Sequence, residues 1–308
     1  MTIRARAFAL AIAALSIVSG ATALSADVRA SENGVPALEV ISPSGGRSIL
    51  LGTLHVADPK LRQPDPRVLD GVRQLVLEHP DKAPAANARG KDGPSGRRSA
   101  WSASVSADQV AQLRAHLQCR YPELDNNTVD QVLSMVMNYP TQAAAIQLAY
   151  DTCDAAGYRS RDDIIGKAAT ERKLPIRYLE TDEEINRLRL QLPGDNARQS
   201  FAAALSPEAA RLKARVVDAL NRGDFAGVAT ATNQSLVLAG DDPNQFNAIM
   251  VKHRNEQWMK KLPALLTQGG SLVLVGAGHL PGPDGLIGDL RSHGFSVNPI
   301  ELPAGSGH

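Results

Sequence analysis

The stretch SLVLVGAGHLPGPDGLIGDLRSHGFSVNPIEL, residues 271–302, carries the clearest order of elements in the chain. The apolar run 271–275 is typical of a buried strand. Glycines and prolines at 276–285 predict a loop, and the apolar spacing after it predicts a helix that ends at Gly294. Residues 295–302 then predict a second strand. The stretch therefore indicates a strand–loop–helix–strand unit of an α/β fold.

Two Gly-x-x-His elements follow apolar runs of this kind. They are Gly52-Thr53-Leu54-His55 and, inside the stretch above, Gly276-Ala277-Gly278-His279. Side chains just beyond the carboxyl ends of buried parallel strands line the ligand crevice of open α/β sheets, and glycines there let the backbone approach a ligand. Either His alone also fits a hydrogen-bonded loop position. The matching pair predicts one polar site, in which imidazole binds a metal or carries protons.

Two glutamates occupy comparable places. Glu78 follows the apolar run 75–77, and Glu180 follows the strand-like run 176–179. An acidic side chain at a strand end can bind a metal, orient a His or activate water. The structural alternatives are a rim salt bridge for Glu78 and, for Glu180, a place beside the capping box at 181–184. We predict both glutamates as site residues.

Arg254 and Asn255 lie on a segment, 246–265, whose pattern predicts a helix. A guanidinium beside an amide could hold a substrate carboxylate or carbonyl, or pair with one of the glutamates. The alternative is an arginine exposed on the surface.

The remaining elements predict an α/β (α+β) fold. A hairpin is expected at 37–41 and 48–51, and helices are expected from residue 106, at 128–137, 141–156 and 164–173, and from the Ser206 N-cap to Gly223. N- and C-terminal strands would share a mixed central sheet, covered by helices from a largely helical middle region. A mobile loop is expected at about 81–105.

The N-terminal residues predict export. Arg4 and Arg6 precede a short apolar run and small residues, as in a cleavable secretory signal peptide over 1–26. We then expect 27–308 to form one domain that is periplasmic or secreted, without a stable membrane anchor.

Charge and motifs exclude several classes of protein. Arg4 and Arg6 are two of the 33 basic residues, which face 32 acidic ones, so the mature net charge is close to zero. We therefore expect no nucleic-acid partner. Neither a phosphate-binding loop nor a Gly-x-Ser-x-Gly elbow is present, which argues against nucleotide binding and serine hydrolysis. Cys119 and Cys153 could pair in an oxidising compartment, and oligomeric state is left open.

The motifs resemble those of the TraB/GumN family, whose animal relatives are the TIKI proteases. The matching pieces run in the family's order over nearly all of the mature chain: LGTLH at 51–55, LE at 77–78, LET at 179–181, RGD at 222–224, RN at 254–255 and VGAGHLPG at 275–282. The region from 81 to about 106 has no counterpart, and Glu78 is followed by His79 and Pro80 rather than by a second acidic residue.

This resemblance implies a fold related to the erythromycin-esterase and ChaN groups, with both Gly-x-x-His elements in one cleft. It also implies peptide cleavage with a divalent metal. On this basis His55, Glu78, His279 and Glu180 are expected to bind manganese, cobalt or zinc, and no organic cofactor is expected.

The leading hypothesis is an exported metal-dependent hydrolase, most simply a peptidase acting on a peptide or other small extracytoplasmic substrate. Glu78, Glu180, Arg254 and Asn255 are its predicted catalytic residues. One alternative is a metal-free, esterase-like hydrolase with a His as general base. The other is a non-catalytic binding protein for a peptide signal or a cofactor.

Overall fold

The computed structural model describes residues 34–80, 99–139, 142–150, 153–192 and 197–305. The predicted signal peptide lies outside these residues. So does most of the loop expected at 81–105, whose end, from residue 99, is described. There Trp101–Ser104 forms a short 3-10 helix, and Trp101 is buried.

Seven strands form one mixed sheet in the order β3-β7-β1-β2-β6-β4-β5. Their bounds are β1 (Gly34–Ile41), β2 (Arg47–Thr53), β3 (Gln63–Pro64), β4 (Gln74–Leu77), β5 (Ile176–Tyr178), β6 (Ser271–Gly276) and β7 (Ser296–Gly305). The predicted hairpin is confirmed, since β1 and β2 pair antiparallel. The predicted sharing of one sheet by the chain's ends is also confirmed, because β7 pairs with β1.

Four adjacent strands are parallel. β6 pairs with β2 on one side and with β4 on the other, and β4 pairs with β5. Every residue of β6 is buried, and its side chains alternate between two hydrophobic clusters on opposite faces of the sheet. Helices therefore cover both faces of the central strands, which explains the continuous apolar run in the sequence.

The helices are α1 (Ala107–Arg120), α2 (Asn126–Met137), α3 (Ala143–Tyr150), α4 (Arg161–Glu171), α5 (Asp182–Arg189), α6 (Ala197–Ala204), α7 (Pro207–Asn221), α8 (Phe225–Ala239), α9 (Pro243–Asn247), α10 (His253–Trp258), α11 (Leu262–Thr267) and α12 (Leu286–Ser292). None of the helices in the described ranges is long and apolar enough to cross a membrane.

Helices pack against both faces of the sheet, and four further helices form a separate layer. Helices α7, α8, α10, α11 and α12 cover one face, and α4 covers the other. Helices α1, α2, α3 and α6 pack around a third cluster that includes Trp101 and Phe201, whose rings stack with centroids 5.8 Å apart. A disulfide joins Cys119 of α1 to Cys153, with Cα atoms 5.2 Å apart.

The prediction of one continuous helix at 246–265 is wrong. A π-helical turn, Ala248–Lys252, separates α9 from α10, and α11 starts anew with Pro263 in its first turn. Proline lacks an N–H, so it is tolerated at a helix start but not in the interior. Of the helix expected at 141–156, Ala143–Tyr150 is α-helical, whereas Cys153–Ala155 forms a 3-10 turn.

Candidate functional site at the carboxyl ends of the parallel strands

The four predicted site residues follow the four parallel strands. His55, His279, Glu78 and Glu180 come after β2, β6, β4 and β5, in the order in which those strands lie across the sheet. The pairing of β4 with β5 extends to the two glutamates, since the Glu180 N–H donates to the Glu78 carbonyl at 2.9 Å. The predicted common cleft is thus formed because the carboxyl ends of parallel strands share one edge of the sheet.

Arg254 lies at the centre of this group. Its Nη2 donates to Glu78 Oε2 and to Glu180 Oε1, both at 2.5 Å, and its Nε donates to both Glu180 oxygens at 3.1 Å. The guanidinium also lies 4.6 Å from the centroid of the Trp258 ring. Burial opposes its charge, but the two carboxylates raise the pKa of Arg254 above its usual value. Arg254 therefore pairs with both buried carboxylates.

Glu78 is held from two sides. Its Oε1 accepts from the Gly276 N–H at 2.5 Å, while Oε2 accepts from Arg254. Burial disfavours its charge, but His55 and Arg254 hold the pKa of Glu78 well below its usual value. Glu78 is thus a carboxylate, and it connects the strand end at Gly276 to both His55 and Arg254.

His279 is a neutral, fixed acceptor. Asn255 donates through Nδ2 to the carbonyls of His279 and Asp284, so its Oδ1 faces His279 Nδ1, at 2.7 Å, as an acceptor. The His279 proton therefore lies on Nδ1, and Nε2 accepts from Arg254 Nη1 at 2.9 Å. Burial, with the charge of Arg254, lowers the pKa of His279 to about 3. Asn255 is a positioning residue in this arrangement.

His55 differs from its neighbours because it reaches solvent. Its side chain is 49% exposed, whereas that of Glu78 is 5% exposed. His55 Nε2 lies 3.6 Å from Glu78 Oε1, and Nδ1 lies 3.4 Å from Asp162 Oδ2. Partial loss of water around the ring lowers the pKa of His55, but the two carboxylates outweigh this effect and raise it well above its usual value. Within this cluster, His55 is therefore a solvent-accessible imidazole placed between two carboxylates.

The glycines of the two Gly-x-x-His elements allow close packing. A Cβ on Gly276 would lie 3.0 Å from His55 Nε2 and 3.3 Å from Glu78 Oε1. A Cβ on Gly52 would lie 3.0 Å from the Phe225 ring and 3.1 Å from Ala277. At Gly276 the missing side chain lets the backbone lie against the site's own side chains. The predicted approach of these glycines to a ligand stays a prediction.

Sequence reasoning missed Arg161 and Asp162. Both begin α4, whose N-cap Ser160 forms a capping box with Asp163, so the helix starts earlier than predicted. Asp162 faces His55, while the fully buried Arg161 donates to the Gly52 carbonyl at 2.6 Å. Burial lowers the pKa of Arg161 to about 10. The capping box was the available signal for a helix start here, but nothing local placed it beside His55.

A cavity of about 780 Å³ adjoins the group. It is bounded by the segment Leu54 to Val56 and by helices of the middle region, and both His55 and Arg189 line it. Arg189 was also missed. Burial and the neighbouring Arg254 lower the pKa of Arg189, while Glu180 and Glu78 oppose that effect. The cavity thus brings a cation and an imidazole to one accessible surface.

The arrangement does not fit a metal ion shared by the four predicted ligands. Glu78, Glu180 and His279 all accept hydrogen bonds from the Arg254 guanidinium. A metal ion about 2 Å from each of the accepting atoms would have to lie where the guanidinium lies. Among the described residues, no group of three or more His, Cys, Asp or Glu side chains is spaced to hold a metal. Binding of manganese, cobalt or zinc stays a prediction.

The residues that directly follow the two glutamates make contacts of their own. Thr181 caps α5 in a capping box with Glu184, so that motif is structural, as expected, and Glu180 beside it is free to face Arg254. His79, next to Glu78, lies 3.7 Å from Asp182 and not in the cluster.

Comparison with known families agrees with the motifs. The profile of the TraB/PrgY/gumN family matches residues 37–299 of the 308-residue chain. The chain belongs to this family. Comparisons with curated proteins and with solved structures found no match. The TraB/PrgY/gumN match contains both Gly-x-x-His elements, both glutamates and Arg254, so the resemblance seen in the motifs is confirmed.

Proposed function

We propose that this TraB/PrgY/gumN protein is a hydrolase that cleaves a carboxylic ester or amide, with His55 as its general base. The observation that carries the proposal is the contrast in exposure within one cluster. The His55 side chain lies between two carboxylates and lines the cavity. Glu78, Glu180, Arg254 and His279 are buried. An accessible imidazole beside oriented carboxylates is suited to proton transfer.

The reaction assigns a step to each accessible group. A water oxygen attacks the carbonyl carbon of a substrate in the cavity, and its proton passes to the neutral imidazole of His55, which lines the cavity. Arg189, which lines the same cavity, stabilises negative charge on the carbonyl oxygen. The bond to the leaving group then breaks, and His55 returns the proton to the leaving oxygen or nitrogen. A carboxylic acid and an alcohol or amine result.

The buried groups keep His55 in place and stabilise its charged form. Asp162 and Glu78 face its two ring nitrogens, and Arg254 holds Glu78. The peptidase implied by the family resemblance is the amide case of this reaction. The metal implied by the family resemblance would act as a Lewis acid. The predicted ligands leave no common position for it, because Arg254 lies between them.

Hydrolysis of p-nitrophenyl acetate and of a fluorogenic peptide library by the purified chain tests the proposal. We expect the His55→Asn variant to lose about 10²- to 10⁴-fold in kcat/KM, the range for a general base. His293→Asn, at an exposed position after α12, is the matched control and should retain activity. Full activity of His55→Asn would contradict the proposal.

The pH profile and metal removal add two further readouts. Because the pKa of His55 is raised and the neutral form is the base, kcat/KM should rise with pH to above pH 6.5 before it levels off. Activity should survive dialysis against EDTA. Loss of activity on dialysis, with recovery on addition of manganese, cobalt or zinc, would instead support the metal-dependent mechanism.

We also propose that the chain is exported. The composition of residues 1–26 supports this, and so does the Cys119–Cys153 disulfide, because such bonds persist in oxidising compartments. Fractionation with mass spectrometry should find a mature N-terminus after Ala23 or Ala26 outside the cytoplasm. Intact chains that start at Met1 in the cytoplasm would contradict this.

A further inference from the structure

The cavity beside His55 presents mainly apolar groups. One face of α8, from Thr232 to Ala239, lines it at helical spacing, and its other walls include Trp101, Ile146 and Val216. These walls come from the helical middle region, whereas the charged cluster lies at the carboxyl ends of the parallel strands. The cavity therefore extends away from the strand ends and into an apolar part of the molecule.

Several polar side chains that line the cavity already form hydrogen bonds within the protein. The Ser200 and Ser235 hydroxyls donate to helix carbonyls at 3.3 and 3.1 Å. The buried Lys213 ammonium donates to two backbone carbonyls, both at 3.3 Å. Asp242 accepts from the Asn244 N–H as the N-cap of α9. These groups already have hydrogen-bond partners within the protein, and the apolar walls make up the larger part of the surface that the cavity offers a ligand.

An exposed leucine and an arginine are neighbours in the cavity lining. Leu190, directly after α5, lines the cavity and is 62% exposed, and the preceding residue, Arg189, lines it too. At about 780 Å³ the cavity falls within the range of roughly 300–1,000 Å³ that is usual for small-molecule sites. Apolar walls, an accessible imidazole and an adjacent cation together match an amphiphile with one reactive carbonyl.

We propose that the cavity binds the hydrocarbon chain of an acyl ester or acyl amide, with the carbonyl at His55 and Arg189. This assignment rests on the proposed hydrolase activity and names its substrate class. The apolar walls favour a hydrocarbon chain because binding removes its surface from water. The carboxylate product stays beside the Arg189 guanidinium.

A chain-length series tests the assignment with soluble probes. We expect kcat/KM for p-nitrophenyl esters to rise from acetate through butyrate and octanoate to decanoate, by up to about fourfold per methylene that the cavity buries. Binding of decanoate, followed by calorimetry, measures recognition of the chain without turnover.

Two adjacent positions of α8 provide the variant and its control. Ser235→Trp places a ring in the cavity, so it should lower the ratio of decanoate to acetate ester hydrolysis by at least tenfold and weaken decanoate binding. Gln234→Trp carries the same ring at an exposed position outside the lining and should leave both unchanged. Thr232→Phe, one turn earlier on the lining face, replaces Ser235→Trp if circular dichroism finds that variant unfolded.

The outcomes separate the two proposals. Decanoate that binds to the natural chain and not to Ser235→Trp, with no ester or peptide cleaved, supports the cavity assignment and overturns the hydrolase. Hydrolysis with no dependence on chain length overturns the assignment and leaves the hydrolase intact. Equal decanoate binding by the natural chain and by folded Ser235→Trp and Thr232→Phe also overturns the assignment.

Discussion

Gly276 is the backbone position closest to the reactive side chains. Its N–H donates to Glu78, and a methyl group there would lie 3.0 Å from His55 Nε2. A shift of a few tenths of an ångström in His55 and Glu78 is the simplest accommodation. Small displacements of reacting groups can greatly reduce rates, because catalysis depends on their alignment.

Gly276→Ala should therefore reduce kcat/KM on the order of tenfold, with little loss of stability. Gly278→Ala is the matched control, since a methyl group at Gly278 would contact nothing within 4 Å. It should keep its activity and gain stability of roughly 0.4–1 kcal/mol by restricting the unfolded chain. Steady-state kinetics and urea unfolding measure the two effects. Equal activity of the two variants would contradict the role of Gly276.

Arg254 is the residue on which the buried charges depend. Arg254→Leu would leave Glu78 and Glu180 side by side without the guanidinium that bridges them, so it should reduce the free energy of unfolding by about 3–5 kcal/mol. Arg254→Lys keeps the charge but loses the forked geometry, and its loss should be smaller.

Chemical denaturation of both variants measures these losses. Arg211→Leu removes an arginine that is 73% exposed and pairs with Glu208, and it should change stability by less than about 1 kcal/mol. If Arg254→Leu were as stable as Arg211→Leu, the central role of Arg254 would be wrong.

At the scale of elements, the Ala248–Lys252 π-turn sets the direction of α10. Arg254 and Asn255 are consecutive, yet Arg254 points at Glu180 and Glu78 while Asn255 holds His279. Arg254 Nη1 also donates to the Met250 carbonyl inside the turn, at 3.3 Å. Local π-helical turns are frequent at functional sites, because they reorient the side chains that follow them.

The disulfide fixes the helical layer that walls the cavity. It ties α1 to the turn at Cys153–Ala155 across 34 residues of chain, and closing a loop of that length is worth about 3–4 kcal/mol in the chain-entropy view. The Cys119→Ser/Cys153→Ser double variant should therefore unfold at lower denaturant concentration. The natural chain with dithiothreitol should match it. Equal stability of the oxidised and reduced chains would contradict this.

At the scale of the whole molecule, the cluster gives opposite stability trends on the two sides of neutrality. Buried His279 stays neutral down to about pH 3, whereas an unfolded His takes up a proton near pH 6.5. The unfolded state binds more protons in this window, so His279 alone reduces stability by about 1.4 kcal/mol per unit as pH falls through it. The lowered pKa of Glu78 adds a loss at still lower pH, below about 4.5.

His55 acts in the other direction. Its folded pKa lies above its unfolded value of 6.5, so its stabilising contribution is present below pH 6.5 and is lost as pH rises through the folded pKa. We expect maximal stability near neutral pH. Unfolding free energies measured from pH 4 to 9 should show a weaker acid slope for His279→Gln and a weaker alkaline loss for His55→Asn. Parallel profiles for both variants and the natural chain would contradict these assignments.

The strand ends were predictable and their partners were not. Apolar runs followed by His or Glu located His55, Glu78, Glu180 and His279, because a buried parallel strand leaves a continuous local signature. Arg254 was identified as a substrate-binding group or as a partner of one glutamate, and its pairing is confirmed. That it bridges both glutamates was not predicted, since helical periodicity cannot indicate which distant residues an arginine meets. Asp162 was missed because a capped helix start looks the same wherever that helix packs.

The sequence by itself determined the local elements: the hairpin, the strand–loop–helix–strand unit at 271–302, the helix caps and the two Gly-x-x-His turns. These depend on propensities and contacts between near neighbours in the chain. Only the tertiary structure decided the strand order, the Cys119–Cys153 pairing and the position of Arg254, 176 residues from Glu78. Packing of distant apolar faces determines which strand ends and helices meet, and no local pattern encodes that choice.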